Sequence, residues 1–104
     1  MPEKTYIDFI DDIVSDDTSE IRRKDLEYGG SWLKRGGIGA YMMACRKFDR
    51  LEAQLSKTGY DIFAAAENDK RQEGIIDDVR DLRRYLLLIE AEPNISNLTR
   101  TIVT

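Results

Sequence analysis

The chain has 104 residues, 41% of them apolar and 35% charged, with a net charge of −4, which suits one folded domain and excludes a disordered one. No apolar run approaches the ~20 residues that cross a bilayer, and the acidic start MPEKTYIDF lacks the apolar segment of a signal peptide. Neither a membrane protein nor a secreted one is therefore expected, and the acidic total argues against broad binding of duplex DNA.

Histidine is absent and cysteine occurs once, as Cys45. The commonest general base near neutral pH and the commonest transition-metal ligand are thereby removed, and a structural zinc site is not expected. A single thiol forms no internal disulfide, in keeping with a cytoplasmic setting. Catalysis in such a chain would run on carboxylates, with Mg²⁺ or Mn²⁺ as the metal that prefers oxygen ligands.

The charge is strongly segregated. Residues 1–20 hold seven acids and one base, residues 21–50 eight bases and three acids, and residues 51–104 ten acids and seven bases. The local excess of +5 in the middle segment suits a small phosphorylated ligand.

Apolar spacing predicts an all-α, mostly antiparallel domain of four helices with an extended C-terminal tail. The first helix covers 4–14, with Tyr6, Ile7, Phe9, Ile10, Ile13 and Val14 at helical spacing. SDDTSE breaks it and offers N-caps for a second helix, 19–28. A Gly-rich turn, 29–37, holds Gly29-Gly30, the island SWLKR and Gly36-Gly37. The third helix, 38–57, lines up Ile38, Tyr41, Met42, Cys45, Phe48 and Leu55 and ends at Lys57-Thr58-Gly59. Tyr60, Ile62 and Phe63 fall in a loop. The fourth helix, 69–91, carries the stripe Ile75, Val79, Leu82, Leu86 and Ile89 and is ended by Pro93. Leu86–Ile89 wraps more than one face, so packing against the first helix, a dimer partner or both is expected, and the domain is expected to self-associate. The β-prone tail, 93–104, pairs with something or stays loose.

Two carboxylate pairs stand out. At 100° per residue, Asp49 and Glu52 fall inside the sector of Tyr41, Cys45 and Phe48, while Asp78 and Asp81 flank the core stripe of the fourth helix. Buried carboxylates cost free energy unless paired or bound to a cation. Such pairs on facing helices can hold Mg²⁺ against a triphosphate. The arrangement resembles the E-x-x-E … E-x-x-D pattern of MazG-like all-α nucleotide pyrophosphohydrolases, with aspartate in two of the glutamate places. That resemblance implies Asp49, Glu52, Asp78 and Asp81 as metal ligands.

A second likeness covers residues 24–90. Tyr28-Gly29-Gly30-Ser31-Trp32, then Lys47-x-x-Arg50-Leu51, then Glu73-x3-Asp77-x3-Asp81-Leu82-x2-Tyr85 is similar to the small phage domain called nucleotide-modification-associated. It implies a phage origin and work on nucleotides. Where that family often has a hydroxyl residue, this chain has Asp78.

The residues offer a physical counterpart. Tyr28 and Trp32 can stack on a base, Lys34 and Arg35 add charge beside an anion-binding helix start, and the paired glycines let backbone approach a ligand. Lys47 and Arg50 face Asp77, Asp81 and Tyr85 across two helices. That array is either a row of inter-helix salt bridges or a groove for phosphate, ribose and base. The leading expectation is a phage-type protein, in the infected host's cytoplasm, that binds a small phosphorylated nucleotide without a required cofactor. It would sequester a host immune signalling nucleotide as an anti-defence protein. The alternatives are an Mg²⁺-dependent nucleotide hydrolase or nucleotide-modification enzyme, and an inhibitor that docks on a host protein through its acidic first helix.

Overall fold

The computed structural model describes the backbone of residues 3–103 and the side-chain surroundings of residues 3–98. It is all-α, with four α-helices and no strand among the described residues. Contacts divide the chain into two compact units, residues 1–34 and 35–104.

The first unit is built on α1, Tyr6–Tyr28. Thr5 and Asp8 start it with reciprocal bonds: the Asp8 N–H donates to Thr5 Oγ1 at 3.3 Å, and the Thr5 N–H donates to Asp8 Oδ2 at 2.9 Å. Gly29, in the left-handed region, ends it and donates its N–H to the Asp25 carbonyl at 2.8 Å. The break expected at SDDTSE is not there, so 4–14 and 19–28 are parts of one helix. Ser, Thr and Asp are only weak helix formers, and a nucleated helix runs on through them. Thr18 Oγ1 returns its hydrogen bond to the Val14 carbonyl at 3.0 Å, and Arg23 pairs with Glu20 and Glu27 along one face. The expected stripe from Tyr6 to Val14 is exposed along its length.

In the second unit, α2 (Gly36–Leu55), a 3-10 turn (Ser56–Thr58), α3 (Ile62–Asn68) and α4 (Ile75–Val103) surround a small core. Leu51, Ala65 and Ile75 are its buried centre, with Leu55, Ile62, Ala66, Val79 and Leu82 packed on it. Helix α3 corrects the expected loop: Asp61 Oδ1 accepts the N–H groups of Phe63 and Ala64, both at 3.1 Å, and so caps it. Helices α2 and α4 run antiparallel. Lys47 Nζ meets Asp81 Oδ2 at 3.0 Å, and one turn further along α2, and one turn back along α4, Arg50 Nε meets Asp78 Oδ1 at 3.1 Å.

Three expected features of these helices are corrected. Helix α4 starts at Ile75 rather than 69, because the Asp69 side chain bonds the Arg71 and Ile75 N–H groups and holds 69–74 in a loop. It also continues through Pro93 to Val103, so the expected extended tail is helical up to that residue; Thr104 lies outside the described residues. The same register carried along both helices sets Gly36 opposite Glu92. Pro93 therefore lies beyond the α2 contact, where its missing N–H is tolerated, and Ser96 Oγ donates to Glu92 Oε1 at 2.8 Å across it.

The third correction concerns which faces are core. On α2 the buried positions are Ala40 and Leu51, while Ile38, Tyr41, Met42 and Phe48 are exposed and Cys45 is half-buried. Asp49 and Glu52 therefore sit on an exposed face and carry no burial cost. On α4, Ile75, Val79 and Leu82 pack as expected, but Leu86 and Leu87 are exposed rather than buried on two sides.

Replacing Pro93 by Ala restores an N–H to a helix already formed there, so it should raise stability by up to about 3 kcal/mol in thermal unfolding. A neutral or destabilising result would place the end of α4 before residue 93.

Candidate functional site

Side chains at the α2–α4 contact form a ladder of ion pairs. Asp78 is 1% exposed, with Arg50 Nε at 3.1 Å from Oδ1 and an Arg71 terminal nitrogen at 3.9 Å from Oδ2. Asp78 Oδ2 has no hydrogen-bond partner. A carboxylate out of water is tolerated only beside opposite charge, and two guanidinium groups supply it. Lys47 holds Asp81, and Arg80 holds Asp77 at 2.9 Å. Asp77 also accepts the Gly74 N–H at 2.9 Å, which caps the start of α4.

Of the residues expected to contact a ligand, Lys47 and Asp81 thus pair with each other and Arg50 with Asp78 across the two helices, while Asp77 pairs with Arg80 within α4. Tyr85 is half-buried on the same helix. The carboxylates expected to hold metal are not gathered: Asp78 and Asp81 face cations, and Asp49 and Glu52 are exposed on α2. Among the described residues no group of three or more carboxylates or thiols is arranged for a metal ion. The donor set does not fit Mg²⁺.

In the first unit, Tyr28 is exposed at the end of α1, Trp32 is half-buried in a 3-10 turn (Ser31–Leu33), and Lys34 is exposed. Gly29 and Gly30 have φ of 55° and 71°, and open space surrounds the Cβ position of each, so backbone conformation rather than close approach accounts for them. In the second unit, Arg35 stands at the N-cap of α2 without a side-chain cap bond, and the first N–H groups of that helix lack a side-chain acceptor.

The second unit also holds a concavity that the sequence reading missed. A pocket of about 420 Å³ opens between the 3-10 turn after α2, the end of α3 and loop 69–74. Its floor is the core pair Ala65 and Ile75; its wall carries Lys57, Lys70 and Arg71 against one carboxylate, Asp69, with Gln54, Thr58 and Asn68 as neutral polar groups. Lys57 Nζ reaches Gln54 Oε1 at 3.4 Å, and Lys70 is in no described ion pair. The signal was present: Asp69 and Gly74 are turn residues bracketing KRQE, but the stretch was assigned to the fourth helix.

Asp69 ties loop 69–74 together. Its Oδ1 accepts from the Arg71 N–H and Nε, both at 3.0 Å, and its Oδ2 from an Arg71 terminal nitrogen at 2.8 Å and from the Ile75 N–H at 2.7 Å. A Cβ on Gly74 would stand 2.9 Å from that Oδ2, so only glycine fits there without displacing the carboxylate. The Arg71 side chain first, and the backbone N–H of Arg71 next, hold the Asp69 carboxyl well below the usual carboxylate range.

Comparison with protein-family models, curated sequences and solved structures finds no match to this chain.

Two outcomes test these assignments. Arg50→Ala leaves Asp78 buried with a more distant partner and should cost about 3 kcal/mol in urea unfolding, whereas Arg50→Met with Asp78→Leu should recover most of that loss. A lowered folded-state pKa stabilises above the ordinary carboxylate range and fades only in acid. Asp69→Asn should therefore lower the thermal midpoint at neutral pH, with the gap to wild type closing as the pH falls below about 4.

Proposed function

We propose that the chain is a binding protein for a small phosphorylated molecule, in the leading case a nucleotide, whose phosphates enter the pocket beside Lys57 and Lys70. The observation that carries this reading is the pocket itself. In a chain of net charge −4, this open concavity of about 420 Å³ has Lys57 and Lys70 in its lining, with Arg71 paired to the one carboxylate, Asp69. Thr58, Gln54 and Asn68 add hydrogen-bonding groups for oxygens or base edges, and Ala65 and Ile75 add apolar surface.

The likeness of the Tyr28, Lys47 and Glu73 motifs to a phage nucleotide-associated domain supports the same ligand class. On this reading the protein works by holding its ligand, and sequestration of a host signalling nucleotide is the biological role that fits. Lys47, Arg50, Asp77 and Asp81 then serve the pocket indirectly, by fixing α2 and α4. A metal-dependent hydrolase is the weaker reading, since a cation at Asp78 and Asp81 would have to displace Arg50 and Lys47 from their carboxylates.

Isothermal titration with pyrophosphate, ADP and a cyclic dinucleotide tests this. At least one should bind with an affinity that falls as salt rises, and Lys57→Ala with Lys70→Ala should weaken it by tenfold or more. Absence of binding by all three probes, or binding untouched by the double change, would reject the pocket.

A further inference from the structure

Helix α2 is apolar on two faces, and the α4 contact uses only one. Leu51 and Leu55 turn toward the core and Ala40 is buried, whereas Ile38, Tyr41, Cys45 and Phe48 form a second seam at intervals of three, four and three residues. Those intervals are the a/d spacing with which one helix meets another. Ile38 is 82% exposed, Tyr41 64% and Phe48 56%, with Met42 beside them at 57%.

We infer that this seam is an interface between two copies of the chain, in which α2 packs antiparallel against α2 of the second copy. The argument rests on charge as well as apolarity. Glu52 lies in the angular sector of the seam at its C-terminal end, and Arg35 stands at the N-terminal end beside the positive pole of the helix. Antiparallel pairing that sets Ile38 opposite Phe48, and Tyr41 opposite Cys45, also sets Arg35 of each copy near Glu52 of the other. Parallel pairing would instead bring like charges together at both ends. The exposed portions of Ile38, Tyr41, Met42 and Phe48 amount to about 500 Å² per copy, so a symmetric pair that covered them all would bury up to about 1,000 Å² before its charged rim is counted, the size at which specific interfaces begin.

The interface is independent of the phosphate pocket, which uses neither Arg35, Glu52 nor the seam. Sedimentation of the full chain should give twice the 12.0 kDa chain mass at micromolar concentration. Phe48→Glu should return it to the single-chain mass with helicity by circular dichroism unchanged, and should speed thiol labelling of Cys45. Arg35→Glu and Glu52→Arg should each weaken association tenfold or more, and the two together should restore it. Three results would each overturn the inference: single-chain mass at every concentration, a dimer indifferent to Phe48→Glu, or single charge reversals that the double reversal does not rescue. The first is also the result expected if a different protein, rather than a second copy, covers the seam.

Discussion

Everything in the second unit is arranged around one carboxylate removed from water. Asp78 lies at the α2–α4 contact with Arg50 on one oxygen and Arg71 near the other. An unpaired carboxylate there would be untenable, so both arginines must arrive together, and they come from different places: Arg50 from α2 and Arg71 from the loop before α4. Meeting that demand ties the register of the two long helices, while the bonds of Asp69 hold the path of loop 69–74 that brings Arg71 near. The apolar core beside it, Leu51, Ala65 and Ile75, is too small to impose the register by shape alone. Charge supplies the specificity that a larger core would supply by packing.

The same demand divides the basic residues into two classes. Lys47, Arg50, Arg71 and Arg80 answer acids within the fold. Lys57 and Lys70 do not, and they flank the pocket. The motif read in the sequence as ligand-binding, Lys47-x-x-Arg50, pairs with Asp81 and Asp78, while Lys57 and Lys70 come from stretches that looked like a helix end and a helix interior.

The sequence made the all-α class legible, along with the existence of α2 and α4 and the Ile75, Val79 and Leu82 stripe, because long segments with a 3.6-residue period leave little choice. It misled where local chemistry outweighs period. Asp61 caps α3 and Asp69 withholds 69–74 from α4 through side-chain bonds that composition does not reveal. The residues of SDDTSE are turn-prone in isolation yet run through a helix already nucleated at Thr5. On α2, periodicity showed an apolar sector but not its direction; with two apolar faces on one helix, the sequence holds no label saying which meets the same chain.

Asp69 takes up the planar fork of Arg71 with both its oxygens. What remains toward the pocket is a pair of ammonium groups on flexible stems, carried by two separate elements. Ammonium is a compact point charge without the two-pronged geometry that distinguishes one oxyanion from another. On the proposed reading the wall would sense how much negative charge arrives, and only weakly its shape. Discrimination among phosphorylated guests would fall to the neutral groups Gln54, Thr58 and Asn68, and the pocket would grade its guests by valence before identity.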